Sequence, residues 1–166
     1  MASKFIALPK SVSEKSFAAA IAEFRRIVGQ DSVLVTAEQL APYIKTMMPV
    51  PDADHTPSAA LLATTVEHIQ KIVGICNTYK VPIWMISTGR NFGYGSAAPA
   101  ERGQVVLDLK RMNRILEVDP DLCFALVEPG VTYKQLYDYI HEHKYPLWIS
   151  CPAPSAIAGP TGNTLD

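Results

Sequence analysis

The sequence predicts helices packed against a mixed β-sheet, and three observations carry that prediction. Strand, helix and strand follow one another between residues 59 and 86, capped amphipathic helices stand before and after them, and three β-rich runs lie between residues 105 and 127. With 48% hydrophobic and 19% charged residues among 166, the chain has the apolar content of one globular domain.

The elements can be taken in order. Ser11-Val-Ser-Glu14 has capping-box spacing and is followed by Phe17, Ala20, Ile21, Phe24, Ile27 and Val28 at helical intervals, with Gly29 as the stop. Residues 32–36 read as a short extended piece, and the proline-rich stretch 48–57 as an ordered connector. Residues 59–63 read as a buried strand. Thr64-x-x-Glu67 then caps a helix with Val66, Ile69, Ile72, Val73 and Cys76 on one face, ending near residues 77–80. Pro82 opens a second strand, 83–86. Such a βαβ unit forms a parallel pair with a right-handed crossover, and it places the loop 87–95 at the carboxyl edge of the sheet, where ligands bind.

Beyond that loop, runs 105–109, 115–118 and 123–127 read as strands separated by turns such as Asp119-Pro-Asp121. Gly130 leads into Thr132-x-x-Gln135, a capping box, and a short helix with Leu136, Tyr139 and Ile140 facing inward. Residues 147–149 read as a returning strand. The run 152–163 is rich in proline and small residues, which predicts a close-packed loop rather than a regular helix or a central strand. Most of the 13 prolines fall at segment ends.

Composition removes several classes of function. Fifteen Lys and Arg against 16 Asp and Glu give a net charge of −1 with no basic stripe, a poor match to nucleic acid. No apolar run approaches the roughly 20 residues that cross a bilayer. No cleaved secretory signal is visible, so the expected location is cytoplasmic. Cys76, Cys123 and Cys151 are far apart with apolar neighbours and read as buried, reduced thiols. His141 and His143, two apart on a helix, point away from each other, and no metal set is expected.

The loop 87–95, Ser-Thr-Gly-Arg-Asn-Phe-Gly-Tyr-Gly, carries the chemistry. Gly89, Gly93 and Gly95 alternate with polar residues directly after an apolar strand, so successive N–H groups can turn into one concavity that binds phosphate oxygens. Ser87, Thr88 and Asn91 add hydroxyl or amide donors, and Arg90 adds charge if it turns inward. The glycine spacing is not the G-x-G-x-x-G of a Rossmann turn, and no Gly-Lys-Ser/Thr of a P-loop follows. From glycine spacing alone a tight turn between strands explains the loop equally well, and a lone tyrosine such as Tyr94 is most often a core residue.

The flanking motifs decide between these readings. Pro82-Ile-Trp-Met-Ile-Ser-Thr-Gly-Arg-Asn-Phe-Gly-Tyr-Gly-Ser-Ala-Ala-Pro99, Gly103-Gln-Val-Val-Leu-Asp-Leu109 and Val127-Glu-Pro-Gly-Val-Thr-Tyr133 closely resemble the vanillyl-alcohol oxidase / p-cresol methylhydroxylase family of flavoproteins. The likeness extends to Asp54-His-Thr-Pro-Ser-Ala-Ala60 and to Ala153-Pro-Ser-Ala-Ile-Ala-Gly-Pro-Thr-Gly-Asn163. It implies an α+β fold, the N-terminal part of a two-subdomain FAD-binding domain, with residues 1–56 as helix and connector and 57–166 as an incomplete FAD-binding domain. It further implies FAD as cofactor and 4-alkylphenols or 4-hydroxybenzylic compounds of the p-cresol, eugenol or vanillyl-alcohol type as substrates. Hydride would pass from the benzylic carbon to flavin N5, giving a quinone methide that water traps.

On the family pattern, Ser87, Thr88, Gly89, Arg90, Asn91 and Gly93 fall in the pyrophosphate loop, and Tyr94 matches a tyrosine that helps bind the phenolic oxygen. Pro129, Gly130, Ser155, Gly159, Gly162 and Asn163 match segments lying along the cofactor. The resemblance also implies a cytochrome c subunit or dioxygen as electron acceptor and a homo-oligomer for the full-length protein. Against the family pattern the chain reads as an N-terminal fragment, with the rest of the FAD domain, the substrate cap, the covalent flavin attachment and a Tyr-Arg phenolate pair beyond Asp166. As an isolated polypeptide it is expected to bind nucleotide weakly or not at all, without turnover.

Overall fold

A computed structural model describes residues 5–90, 97–149 and 155–165, the side chains of 163–165 excepted. Helix α1 spans Glu14–Val28 and buries Phe17, Ala20, Ile21 and Phe24, the inward face read from the sequence. Its cap is Ser13 rather than Ser11: the Ser13 hydroxyl accepts from the Ser16 N–H, while Ser11 stands in a left-handed conformation before the helix begins. Gly29 ends it with φ 88°, its N–H bonded to the Arg25 carbonyl. Strand β1 is only Val33–Leu34, because Thr36 caps a further short helix, α2 (Ala37–Leu40), closed by a capping box with Gln39. A 3₁₀ turn follows at Ala41–Tyr43, and another at Asp52–His55 orders the connector.

Strand β2 (Ala59–Leu62), helix α3 (Val66–Tyr79) and strand β3 (Ile83–Ile86) form the expected unit. Three details differ from expectation. Thr65, one residue after Thr64, is the cap of α3. Ile72, Ile75 and Cys76 are its buried residues, while Val66 and Val73 are exposed, so the inward face is rotated from the one read by spacing. β2 and β3 are not neighbours either: strand β4 (Val105–Asp108) lies between them, parallel to both, in the order β1-β2-β4-β3. The sheet is mixed as expected, through antiparallel β1. All four β4 residues are at most 1% exposed, which suits an apolar run covered on both faces.

Alternate strand residues serve the two faces of the sheet. Ala59, Leu61, Val105 and Leu107 pack with α1 and α3, and Ala60, Ile86 and Val106 pack with Leu40 and Tyr43. Strands β5 (Ile115–Asp119) and β6 (Phe124–Val127) form a separate antiparallel pair. Helix α4 (Tyr133–Glu142) starts at the expected Thr132/Gln135 capping box, and its Leu136 and Ile140 join Val118 and Val131 in a third cluster.

Residues 147–149 form no strand, and Trp148 is exposed. The stretch expected to exclude a helix contains one, α5 (Pro160–Leu165). Proline is tolerated in a first helical turn, where its missing N–H has no partner to lose. Of the cysteines, Cys76 is a buried free thiol whose pKa burial pushes up to about 12. Cys123 is exposed, with φ 56° in the turn between β5 and β6, where chain reversal overrides its apolar neighbours. Cys151 lies outside the described residues. His141 stacks on Tyr137 and His143 on Tyr139, so the two imidazoles do diverge.

Candidate functional site

Parallel strands end on one edge, and the chain leaving that edge is free to meet a ligand. Leu62 of β2 and Ile86 of β3 both stand level with Asp108 of β4. Ser87, Thr88, Gly89 and Arg90 follow β3 directly. Ser87 donates its hydroxyl to the Pro129 carbonyl, which ties this turn to the segment after β6. Gly89 has φ 67°, and a Cβ there would lie 2.9 Å from Ala97 Cβ, so the turn requires glycine.

Two closer approaches complete the convergence. A Cβ on Gly130 would lie 2.6 Å from the carbonyl oxygens of Leu109 and Lys110, and one on Gly159 would lie 2.7 Å from Ser87 Oγ. Gly162 also sits beside Ser87, its added Cβ falling 3.8 Å from Ser87 Cβ. The 155–159 turn hangs from the start of α4, where the Tyr133 N–H donates to the Ala158 carbonyl at 2.9 Å and the Lys134 N–H to Ala156 at 3.0 Å. Ser155 shapes that turn by accepting from the Ile157 N–H at 3.3 Å. Three segments remote in sequence thus meet at one edge.

A groove of about 320 Å³ runs there, lined by Thr88, Arg90, Lys110, Asn113 and Gly130 and by the α4 capping pair Thr132 and Gln135. Two cations, two hydroxyls and two side-chain amides, with no acidic side chain among the described lining residues, make a donor set suited to a diphosphate. Among the expected residues, Thr88, Arg90 and Gly130 line the groove, while Ser87, next to Thr88, meets Pro129, Gly159 and Gly162, and Gly89 packs against Ala97. Asn91, Gly93 and Tyr94 lie outside the described residues. Asn163 belongs to α5 by its backbone.

Lys110 and Asn113 were not expected. Both follow the carboxyl end of β4, the same topological position that Ser87 to Arg90 occupy after β3, and that equivalence was the available signal. Lys110 is anchored from below. Its ammonium lies 2.9 Å from Asp108 Oδ2 and donates to the Tyr43 hydroxyl at 3.1 Å, while that hydroxyl donates to Asp108 Oδ2 at 2.6 Å. Burial, and then the bond to Asp108, pushes the Tyr43 hydroxyl far above the usual tyrosine range, so it stays protonated.

A family model described as FAD binding domain matches residues 57–164, more than half of the chain. The chain belongs to that family. The chain is 62% identical over 159 residues to the 4-cresol dehydrogenase (hydroxylating) flavoprotein subunit of Pseudomonas putida, covering 96% of the chain and 30% of that protein. It matches the crystal structure of p-cresol methylhydroxylase with substrate bound at a TM-score of 0.94 and 61% identity, over 96% of this chain and 31% of that one. It matches 4-ethylphenol oxidase from Gulosibacter chungangensis, in its isoeugenol complex, at 0.91 and 38%, over 96% and 30%. The chain therefore spans about 30% of the length of these relatives. FAD is its cofactor, and the groove's donors fit that molecule's diphosphate. No helix among the described residues is long and apolar enough to cross a membrane.

Proposed function

We propose that this chain is the FAD-holding first part of a flavoenzyme that oxidises 4-alkylphenols or 4-hydroxybenzylic compounds. Residues 57–166 form the cofactor domain, and residues 1–56 lead into it. The observation that carries the reading is the groove, where Thr88, Arg90 and Gly130 come together at the carboxyl edge of the sheet. The relatives named for 4-cresol and 4-ethylphenol support the substrate class.

Bound there, FAD would supply the acceptor for hydride from the benzylic carbon. The tasks of the chain's own residues are to bind and to shape. Thr88, Arg90 and Asn91 offer donors to phosphate oxygens; Ser87, Gly89, Gly93, Pro129, Gly130, Gly159 and Gly162 let the backbone come close; Ser155 and Asn163 complete the cofactor segments. Tyr94 donates to the substrate's phenolic oxygen, reducing the penalty for negative charge in an apolar pocket. A cytochrome c subunit as electron acceptor, a periplasmic location with it, and a homo-oligomeric longer protein belong to the same reading.

Equilibrium dialysis of the purified chain against FAD, with adenosine diphosphate as competitor, tests the cofactor assignment. Flavin taken up by the chain and displaced by the competitor is the expected result. Flavin uptake that the competitor fails to displace would remove the reading.

A further inference from the structure

The two cations of the groove differ in how they are held. Arg90 is exposed and forms no ion pair among the described residues. Lys110 is fixed at both ends of its side chain. Its backbone N–H donates to Asp108 Oδ1 at 2.9 Å, and its ammonium meets Asp108 Oδ2 at 2.9 Å and the Tyr43 hydroxyl at 3.1 Å. The ammonium also stands 5.4 Å from the centre of the Tyr43 ring. An ammonium has three N–H donors. One is used on Tyr43 and the ammonium is ion-paired with Asp108, which leaves donor capacity on a side chain that lines the groove with Thr88 and Arg90.

Burial separates the two charges of this pair. The Asp108 side chain is 2% exposed and that of Lys110 is 50% exposed, so the pair presents its positive end to solvent. Since the carboxylate lies within 3 Å of the ammonium, the field of the pair fades quickly with distance. Lys110 therefore acts by contact and not by long-range attraction. Ordinarily a lysine loses much rotamer freedom when it grips a ligand. Here Asp108 and Tyr43 have already ordered it.

We propose that Lys110 is a pre-positioned phosphate donor of the groove, and that Asp108 and Tyr43 are positioning residues that hold it there. The ligand chemistry is a nucleoside diphosphate, as in the adenosine-diphosphate half of FAD, and the assignment rests on the flavin reading above. It adds a phosphate contact from β4 to those offered by the loop after β3. It also gives the buried Asp108 and the protonated Tyr43 a purpose beyond satisfying each other.

The test compares adenosine diphosphate with adenosine, which share a base and ribose and differ in the phosphates, by calorimetry on the full chain. The wild type is expected to prefer the diphosphate. Lys110→Met is expected to lose roughly tenfold or more of that preference, the effect of one charge-assisted hydrogen bond, with adenosine binding unchanged. Tyr43→Phe keeps the ring and removes one anchor, and a smaller loss, about threefold, is expected. Lys10→Met is the control, since Lys10 pairs with exposed Glu101 near the opposite end of β4 and its loss changes net charge equally.

A merely structural Lys110 would lower thermal stability and shift both ligands together. A Lys110→Met chain with the wild-type ratio overturns the assignment and leaves the flavin reading standing. A wild-type chain with no preference for the diphosphate overturns both. Should Lys110→Met fail to fold, Lys110→Gln and Tyr43→Phe carry the same comparison.

Discussion

Glu128 shows how one side chain fixes the approach to the groove. It is 8% exposed, immediately precedes Pro129, and accepts from the Arg114 N–H at 2.8 Å, Nε at 3.0 Å and Nη2 at 2.6 Å. These bonds from Arg114 hold its carboxyl below the usual glutamate range, against the opposing effect of burial. A lowered folded-state pKa means that the pair's stabilisation is present above the unfolded value, about 4.3, and is lost as pH falls through the folded value. Glu128→Gln is expected to lower stability in urea by about 1–2 kcal/mol at pH 7 and by much less near pH 3. Equal losses at both pH values would show that the carboxylate's charge contributes nothing. Tyr94 belongs to the same scale: on the proposed function, Tyr94→Phe in a longer protein that turns over 4-cresol is expected to slow flavin reduction by about 1.5–3 kcal/mol, roughly 10- to 150-fold, in stopped-flow measurements. Unchanged reduction would return Tyr94 to a packing role.

Among the elements, β4 positions the rest. It was legible as a strand from its apolar run, but its place between β2 and β3 was not, because pairing partners depend on which strands share a face and not on local pattern. Gly103 sets its entry. With φ 90°, a Cβ at Gly103 would lie 2.2 Å from the Leu8 carbonyl oxygen, so the N-terminal segment and β4 can approach only through glycine. Arg102 adds bonds to the Ala53 and Ile6 carbonyls at 2.6 and 3.1 Å. Gly103→Ala is expected to cost more than the ~1–2 kcal/mol of left-handed strain, since backbone must also move, and a melting curve measures it. An unaltered melting temperature would mean that the segment around Leu8 shifts without penalty. The misread caps at Ser11 and Thr64 have a common cause: Ser13 and Thr65 also carry hydroxyls, and only backbone geometry selects which one caps.

At the scale of the whole molecule, two of the three apolar clusters flank the four-stranded sheet and the third joins the β5–β6 hairpin to α4. The hairpin leaves Leu116, Phe124 and Leu126 exposed, and a two-stranded pair is marginal alone. Hydrogen exchange is expected to show Val105 to Leu107 as the slowest amides, with β5 and β6 opening well before global unfolding. Uniform protection across both sheets would contradict that order. The groove lies where these units meet, with Thr88 from one and Thr132 from the other. Because the exposed Arg90 leaves that site open to solvent, the chain alone is expected to give no 4-cresol-dependent dye reduction, and robust turnover would overturn the expectation.

By itself the sequence determined the α1 core face, the βαβ unit, the α4 capping box and the family, because periodicity, caps and contiguous motifs are local properties that survive without coordinates. It also named Thr88, Arg90 and Gly130, which the fold brings to one groove. The tertiary structure alone decided that β4 is central, that Ser87 meets Pro129 and Gly159 while Gly130 sits against Leu109 and Lys110, and that Lys110 lines the groove with Thr88 and Arg90. Each of those depends on contacts between residues far apart in sequence, and chain-local pattern carries no record of them.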